Sequence, residues 1–239
     1  MIKRKEGSSI KKITSLDEAL VKKYAEEPFE FWGPTPEEAR KIMVNKPKGM
    51  VDKRMTLKEA VQKYIHGKEG LSIGIGGFVN TRPPVATIHE IIRQGAKDLT
   101  LCFQSSSVCP ELLAGAMLLY PEQITIKRVE LAWWGYEVIG IAPLLRYLNS
   151  KGMIRLDDYT NYGMSARFKA AAMGLEFIPV RDHGGADMEL VNRGVMVESP
   201  FTGKNSYLVP ACYPDVGLLS VTAADIYGKG VRPASGKEA

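Results

Sequence analysis

The sequence predicts an α/β protein built on a mostly parallel open sheet with helices on both faces. Three observations predict it: short apolar runs bounded by glycine, amphipathic stretches between those runs, and capping signals where the stretches begin. Apolar strands that alternate with helices are typical of parallel sheets, whose crossover connections place helices on each face. Ligands of such sheets bind beyond the carboxyl ends of the strands, so the turns that follow strands are the candidate site.

The first 55 residues are predicted to form a helical extension that ends in a linker. Capping boxes at residues 15–18 and 35–38 each precede a helical stretch. Aromatic side chains cluster at residues 29–32 between the two boxes. Exposed aromatic clusters mark contact surfaces, so we expect this one to pack either on the main domain or on a neighbouring protein chain.

The main domain is predicted to span residues 56–239 and starts at a third capping box, residues 56–59. Helices are predicted at 57–65, 85–94, 111–119, 142–150 and 163–173, and strands at 71–75, 99–103, 124–133, 175–180, 207–210 and 216–221. Glycine follows most of these helices, as expected just beyond a helix C-terminus. The turns that follow strands are residues 76–84, 104–110, 134–140 and 181–187.

Charge and composition argue against several classes of function. The chain has 32 Lys and Arg against 27 Asp and Glu, and the two signs alternate along the chain, so we expect no nucleic-acid binding. No run of roughly 18 apolar residues is present, so we expect no membrane span. The opening residues lack the apolar core of a signal peptide, and the 3 cysteines form no CxxC pair. These features predict a cytoplasmic protein.

Gly76, Gly77 and Phe78, together called the diglycine bend, follow the first apolar strand and precede a helix. Glycine permits a positive φ and lets main-chain amides approach a ligand, and the helix N-terminus that follows favours an anion. Neither of the common glycine-rich nucleotide-binding patterns is present. A tight strand-to-helix turn without a ligand is the alternative interpretation.

Residues 70–101 resemble the A-type chains of class I CoA-transferases, above all the A-type chain of glutaconate CoA-transferase and its relatives. The family signature runs from an apolar strand into Gly-Gly-Phe, three variable residues and Gly-x-Pro. The diglycine bend and Pro84 match it, whereas Arg82 replaces the glycine of Gly-x-Pro, as in the glutaconate branch. Ala86 stands where the short-chain 3-oxoacid branch has a substrate-binding asparagine.

Similar segments continue through most of residues 56–225, at 162–179, 185–187, 199–203 and 214–225. The resemblance implies an enzyme that uses coenzyme A thioesters as substrates and works with a B-type subunit, in a heterodimer or a larger hetero-oligomer. Chains of this family continue beyond the last matching segment. We therefore expect this chain to lack their C-terminal elements.

In such enzymes the nucleophile that attacks the acyl-CoA thioester is a glutamate of the B-type subunit, and main-chain amides stabilise the charge that develops on the carbonyl oxygen. The motif that contains this glutamate is not found here, so no catalytic residue is expected in this chain. Glu90, Glu111, Glu130 and Glu137 are predicted to be structural or solvated, as most carboxylates are.

The resemblance implies that the diglycine bend shapes the acyl-binding loop, with Asn80 and Arg82 facing the substrate. A guanidinium binds a carboxylate through two hydrogen bonds, so Arg82 would favour a dicarboxylic acyl group; otherwise it is a surface arginine. An aromatic acyl group is the other candidate.

Five further residues are candidate ligand contacts. Gln104, Ser105 and Ser106 follow the second strand and either donate hydrogen bonds to the substrate or cap the next helix. Tyr162 and Arg167 complete the predicted substrate-binding set. Residues 181–187 contain Asp and His at a loose spacing, and we predict no metal there.

The sequence leaves three functions open. The first is transfer of CoA between an acyl-CoA and a carboxylic acid. The second is a lyase or hydrolase reaction on a CoA thioester, and the third is a scaffold role without catalysis, since a fold does not fix a function.

Overall fold

The structure is a computed structural model that describes residues 35–46, 48–136, 140–183, 187–190 and 192–231. The predicted capping box at 15–18, the aromatic cluster at 29–32 and Glu137 lie outside the described residues. No helix among the described residues combines the length and the hydropathy that a bilayer span requires.

The helices are α1 (Pro36–Asn45), α2 (Leu57–Tyr64), α3 (Val85–Gln94), α4 (Val108–Leu119), α5 (Pro143–Ser150) and α6 (Asn161–Ala172), with a 3-10 turn at Asp187–Leu190. The strands are β1 (Ser72–Ile75), β2 (Ala96–Ser106), β3 (Ile124–Tyr136), β4 (Gly140–Ile141), β5 (Arg155–Asp158), β6 (Phe177–Val180), β7 (Val195–Glu198), β8 (Asn205–Pro210), β9 (Val216–Leu218), β10 (Ala223–Ala224) and β11 (Gly230–Val231). Each predicted helix of the main domain is present.

Two of the predicted capping boxes start α1 and α2. Thr35 accepts a hydrogen bond from the amide of Glu38, and Thr56 accepts one from the amide of Glu59, while each glutamate reaches back to the N-cap amide. These boxes satisfy amides that have no partner inside the helix. The sequence prediction of both helix starts is confirmed.

The main sheet has six strands in the order β4-β3-β2-β1-β9, with β5 also paired to β3. All pairs are parallel except β3 with β4. The carboxyl ends of β1, β2, β3, β5 and β9 therefore meet at one edge, called the carboxyl edge. The opposite edge, where β1 begins at Ser72, is called the amino edge.

The two faces of the sheet are covered differently. Helices α2 to α5 pack on one face over a core that includes Ile73, Leu101 and Leu113. The other face carries α6 and a separate antiparallel sheet in the order β6-β8-β7, over a smaller core that includes Cys102, Met164 and Val209. The parallel sheet with helices on both faces is confirmed, but the predicted strands at 175–180 and 207–210 belong to this second sheet.

Five strands were not predicted: β4, β5, β7, β10 and β11. The sequence of β5 is Arg-Leu-Asp-Asp, which offers no apolar run. Asp157 of this strand is nevertheless fully buried, because arginine side chains from neighbouring segments surround its carboxylate. An apolar pattern cannot reveal a strand whose buried side chains are charged.

Candidate functional site

The diglycine bend lies at the carboxyl edge and leaves one of its amides unpaired. The amide of Gly76 donates to the carbonyl of Leu218 at 2.8 Å, and the amide of Phe78 donates to the carbonyl of Thr81 at 3.0 Å. The amide of Gly77 makes no hydrogen bond to any described residue. Gly77 is exposed, so this amide is available to a ligand.

Position 77 requires glycine for two reasons: its backbone conformation and the close approach of Arg82. Its φ is 109°, and a Cβ there would lie 2.9 Å from the carbonyl oxygen of Arg82. An L-amino acid with a side chain would be strained in this conformation and would displace the loop. The tight turn and the free amide thus depend on the same glycine.

Ser107 ties the loop after the bend to the end of β2. Its hydroxyl lies 3.1 Å from the carbonyl of Val79 and 2.7 Å from Oδ1 of Asn80. The amide of Val79 in turn donates to the carbonyl of Ser105 at 3.3 Å. These contacts fix the loop while Asn80 stays exposed at its tip.

Arg82 adopts a left-handed backbone conformation with φ of 58°. A residue with a Cβ is disfavoured there by roughly 1–2 kcal/mol, and such strain is common at functional sites. The family signature has glycine at this position, which explains why the backbone takes this conformation. An arginine at a strained position indicates a role for its side chain, which is half-buried.

Gln104, Ser105 and Ser106 lie on the last residues of β2 and not in a turn. Gln104 is exposed, and its Nε2 donates to the carbonyl of Asn161 at 3.2 Å, which links β2 to the start of α6. Ser105 and Ser106 are 5% and 4% exposed and pair with β3 at Trp133 and Trp134. Of the three, only Gln104 is open at the carboxyl edge.

Tyr162 and Arg167 differ in their placement although both lie on α6. Tyr162 is 62% exposed in the first turn, next to the residue that Gln104 binds. Arg167 is fully buried, forms an ion pair with Glu130 and donates from Nε to the carbonyl of Pro210 at 2.9 Å. Arg167 therefore holds α6 on the sheet and does not reach the surface.

The environment of Arg167 keeps it charged. Burial by itself lowers the pKa of this guanidinium, but the neighbouring groups, with the carboxylate of Glu130 first among them, together raise the pKa above its ordinary value. The guanidinium also lies 4.0 Å from the ring centroid of Tyr159, a favourable cation–π contact. Glu130 is structural, as predicted, but as a buried partner and not as a solvated group.

Gly163, Asp182 and His183 form a second unit that secures the start of α6. His183 is fully buried, with Nδ1 3.0 Å from Oδ1 of Asp182 and Nε2 3.4 Å from the amide of Thr160. Thr160 is the N-cap of α6 and accepts from the amide of Gly163 at 2.8 Å. The histidine of the 181–187 loop is thus occupied by hydrogen bonds.

One set of described residues has the spacing of metal ligands: Cys102, Glu130 and Cys212, whose ligand atoms lie within 4.8 Å of one another. Glu130 is already paired with the guanidinium of Arg167. Burial also raises the pKa of the Cys102 thiol, which favours the protonated form. Because a metal ion would have to displace a buried cation, these residues do not fit one.

Asp158 ends β5 at the carboxyl edge. Burial raises the pKa of its carboxyl group to about 6, and a hydrogen bond from the amide of Tyr159 only partly opposes this. Sequence reasoning missed this residue, since its burial depends on the pairing of β5 with β3.

The family model described as Coenzyme A transferase matches residues 54–231 of this chain. The chain belongs to the coenzyme A transferase family. Among curated proteins, it is 31% identical over 178 residues to the A-type chain of 3-oxoadipate CoA-transferase from Pseudomonas knackmussii, an alignment that covers 73% of this chain and 60% of the relative.

Two solved structures are similar to this member of the coenzyme A transferase family. A variant of the decarboxylase AibA/AibB is 33% identical with a TM-score of 0.62, over 72% of this chain and 63% of that chain. Glutaconate coenzyme A-transferase of Acidaminococcus fermentans is 27% identical with a TM-score of 0.64, over 73% of this chain and 58% of that chain.

These matches confirm the resemblance to A-type chains and the α/β fold inferred from the sequence. The chain spans less than two thirds of the length of each relative named above.

Proposed function

We propose that this chain is the A-type subunit of a heteromeric CoA-transferase that moves CoA between an acyl-CoA and a carboxylic acid. The observation that supports it is the free Gly77 amide in a hydrogen-bonded bend at the carboxyl edge. An amide held ready before the substrate arrives stabilises developing negative charge without reorganisation. The nucleophile comes from a B-type subunit that faces this edge.

The reaction follows from the chemistry of a carboxylate nucleophile. The partner's glutamate attacks the thioester carbonyl, and the resulting tetrahedral intermediate expels CoA thiolate to leave an acyl-glutamyl anhydride. The thiolate then attacks the glutamyl carbonyl and releases the first acid as a carboxylate. The second acid reverses these steps and takes the CoA. At each attack the Gly77 amide donates to the oxygen that becomes negative.

Arg82 selects the acyl group in this proposal. Its guanidinium sits four residues beyond the diglycine bend, in a strained conformation that the family signature assigns to glycine. A second carboxylate at the far end of the acyl group would accept two hydrogen bonds from it. We therefore propose a dicarboxylic acyl group, with an aromatic one as the alternative.

The decarboxylase AibA/AibB supports a second candidate, because it is 33% identical to this chain. In that case the same bend holds a CoA thioester whose acyl group loses carbon dioxide. The scaffold on which both reactions occur is shared. The identity of the partner's residue that faces the thioester distinguishes them.

The test uses the full chain purified together with the B-type subunit that binds it. The complex is incubated with glutaryl-CoA or acetyl-CoA and a labelled carboxylic acid, and transfer of CoA to the labelled acid is measured. Borohydride treatment and mass spectrometry then locate a glutamyl-CoA thioester. Transfer with a reduced glutamate on the partner supports the proposal, while release of carbon dioxide without transfer supports the lyase.

Two substitutions of Arg82 distinguish the effect of its side chain from the effect of its strained backbone. Arg82→Gly restores the family residue and relieves strain, whereas Arg82→Ala does not. Both should raise KM for glutaryl-CoA about tenfold or more, because both remove a charge-assisted pair, and leave KM for acetyl-CoA unchanged. Arg93→Ala, at an exposed site on α3, is the matched control. Equal changes for both substrates would refute the dicarboxylate assignment.

A further inference from the structure

A large cavity opens at the amino edge, on the face of the sheet that carries α6. Its volume is about 1400 Å³. Its floor consists of Ser72, Thr100 and Arg128, which lie side by side in register on β1, β2 and β3. The end of α6 and residues 213–215 form the walls, and α1 covers it. Because Ser72 opens β1 and Gly76 follows its end, this cavity is separate from the diglycine bend.

Arg128 is the unusual residue of the floor. Its side chain is only 10% exposed, yet it makes no hydrogen bond to any residue that the structure describes. Its nearest carboxylate oxygen, Oδ2 of Asp157, lies 3.9 Å from Nε. The Nε of Arg128 is buried and has no hydrogen-bond partner among the described residues, which is unfavourable because this group has lost water and gained no acceptor in return.

The carboxylate near Arg128 is already shared. Arg155 donates from Nε to Oδ1 of Asp157 at 2.9 Å, and Nε of Arg193 lies 3.0 Å from Oδ2. Three guanidinium groups therefore lie around one fully buried carboxylate, and Arg128 has the longest contact with it. An additional oxyanion in the cavity would supply the acceptors that Arg128 lacks.

The lining of the cavity contains acidic as well as basic residues. Asp215 is occupied by the amide and hydroxyl of Ser72, at 2.8 and 2.7 Å, and Asp98 accepts from the hydroxyl of Thr125 at 3.1 Å. Glu69 also lines the cavity. The lining also contains Arg40, Lys46 and Lys127, which are exposed, so among the described residues Arg128 is its only buried cation and offers a site to one anionic group.

The rest of the lining is largely apolar. Apolar residues of α1 line the cavity together with residues at the end of α6: Ile42, Met43 and Val44 from α1, and Ala171 and Met173 from the other side. Such a surface favours an aliphatic chain, since apolar area buried from water contributes about 25 cal/mol per Å². The lining therefore combines one buried cationic anchor, Arg128, with an apolar groove.

We propose that this cavity binds an aliphatic monocarboxylate, with the carboxylate on Arg128 and the hydrocarbon chain between α1 and the end of α6. This site lies away from the carboxyl edge and does not depend on the proposed transferase reaction. It provides the protein with a second place at which a free carboxylic acid is recognised.

The test is isothermal titration calorimetry of the full 239-residue chain with octanoate, 1-octanol and inorganic phosphate. Octanoate should bind one per chain, 1-octanol should bind at least about tenfold more weakly since it cannot pair with a guanidinium, and phosphate should not compete. Equal binding of 1-octanol, competition by phosphate, or no octanoate binding would each overturn the proposal.

Two variants localise the binding. Arg128→Met keeps the length of the side chain and should raise the Kd for octanoate at least about tenfold. Ala172→Trp places an indole in the apolar part of the lining and should raise the Kd for octanoate at least about tenfold, even if the first variant does not fold. Arg146→Met, on exposed α5 at the other face, is the control and should leave the Kd unchanged. An unchanged Kd for octanoate in Ala172→Trp would refute the location.

Discussion

The replacement Gly163→Ala tests how tightly His183 is fixed against α6. A Cβ at Gly163 would lie 2.1 Å from Cε1 of His183 and 3.0 Å from the hydroxyl of Thr160. The ring has no room to retreat, because it is fully buried and stacks on Tyr207 with centroids 5.3 Å apart. Either the ring moves and its hydrogen bond to Asp182 breaks, or the start of α6 shifts.

The magnitude follows from three contributions. Overpacking in a filled core costs about 1–3 kcal/mol, and loss of the hydrogen bond between His183 and Asp182 costs about 1 kcal/mol. Replacing glycine by alanine in a helix returns up to about 1 kcal/mol. We expect Gly163→Ala to lower the free energy of unfolding by about 1–3 kcal/mol, measured by urea unfolding followed by circular dichroism.

Gly115→Ala is the matched control, since Gly115 is also helical but its Cβ would meet only Cδ1 of Leu144 at 3.7 Å. This variant should be as stable as the natural protein or up to about 1 kcal/mol more stable. In a His183→Ala background the clash is removed, so Gly163→Ala should then be nearly neutral. If Gly163→Ala alone is as stable as the natural protein, the argument from the packing of His183 is wrong.

Two further predictions concern buried charges. Glu130→Gln should lower the free energy of unfolding by about 3–5 kcal/mol, because it leaves the fully buried Arg167 without its anionic partner. The control Glu122→Gln, at an exposed site, should change the free energy of unfolding little. Equal effects of the two variants in urea unfolding would contradict the importance of the ion pair. Asp158→Asn should raise the free energy of unfolding at pH 8 by about 1–3 kcal/mol, and the gain should vanish near pH 4. The variant is more stable at high pH because the pKa of Asp158 is about 6 in the folded protein and 3.8 ordinarily. The charged carboxylate therefore destabilises the fold above pH 6, and protonation removes this destabilisation as the pH falls. A gain in stability that does not vary with pH would contradict the prediction.

The start of the candidate site was predictable from sequence because its signals are local. The diglycine bend follows an apolar strand and precedes a helix, and the positive φ of Gly77 is a property of a few consecutive residues. The capping boxes at Thr35 and Thr56 are equally local, since each joins residues three apart. The exposed position of Tyr162 beside Gln104, in contrast, requires β2 and α6 to meet.

Arg167 shows where sequence reasoning reaches its limit. A motif match placed it among substrate-binding candidates, but its partner Glu130 lies 37 residues away on β3, and only the packing of α6 on the sheet brings them together. The polar residues of β3 and β5 would be predicted from the local sequence to be exposed. In the structure they are buried, because their charged side chains pair with one another.

The order of neighbouring side chains is enough to predict the helices, the apolar strands, the parallel arrangement and the family-specific bend. Three features need the folded chain: which loop amide stays free, which charges are buried, and the second sheet formed by strands near the end of the chain. Those outcomes depend on contacts between segments distant along the chain, where desolvation and pairing of charges outweigh local preference.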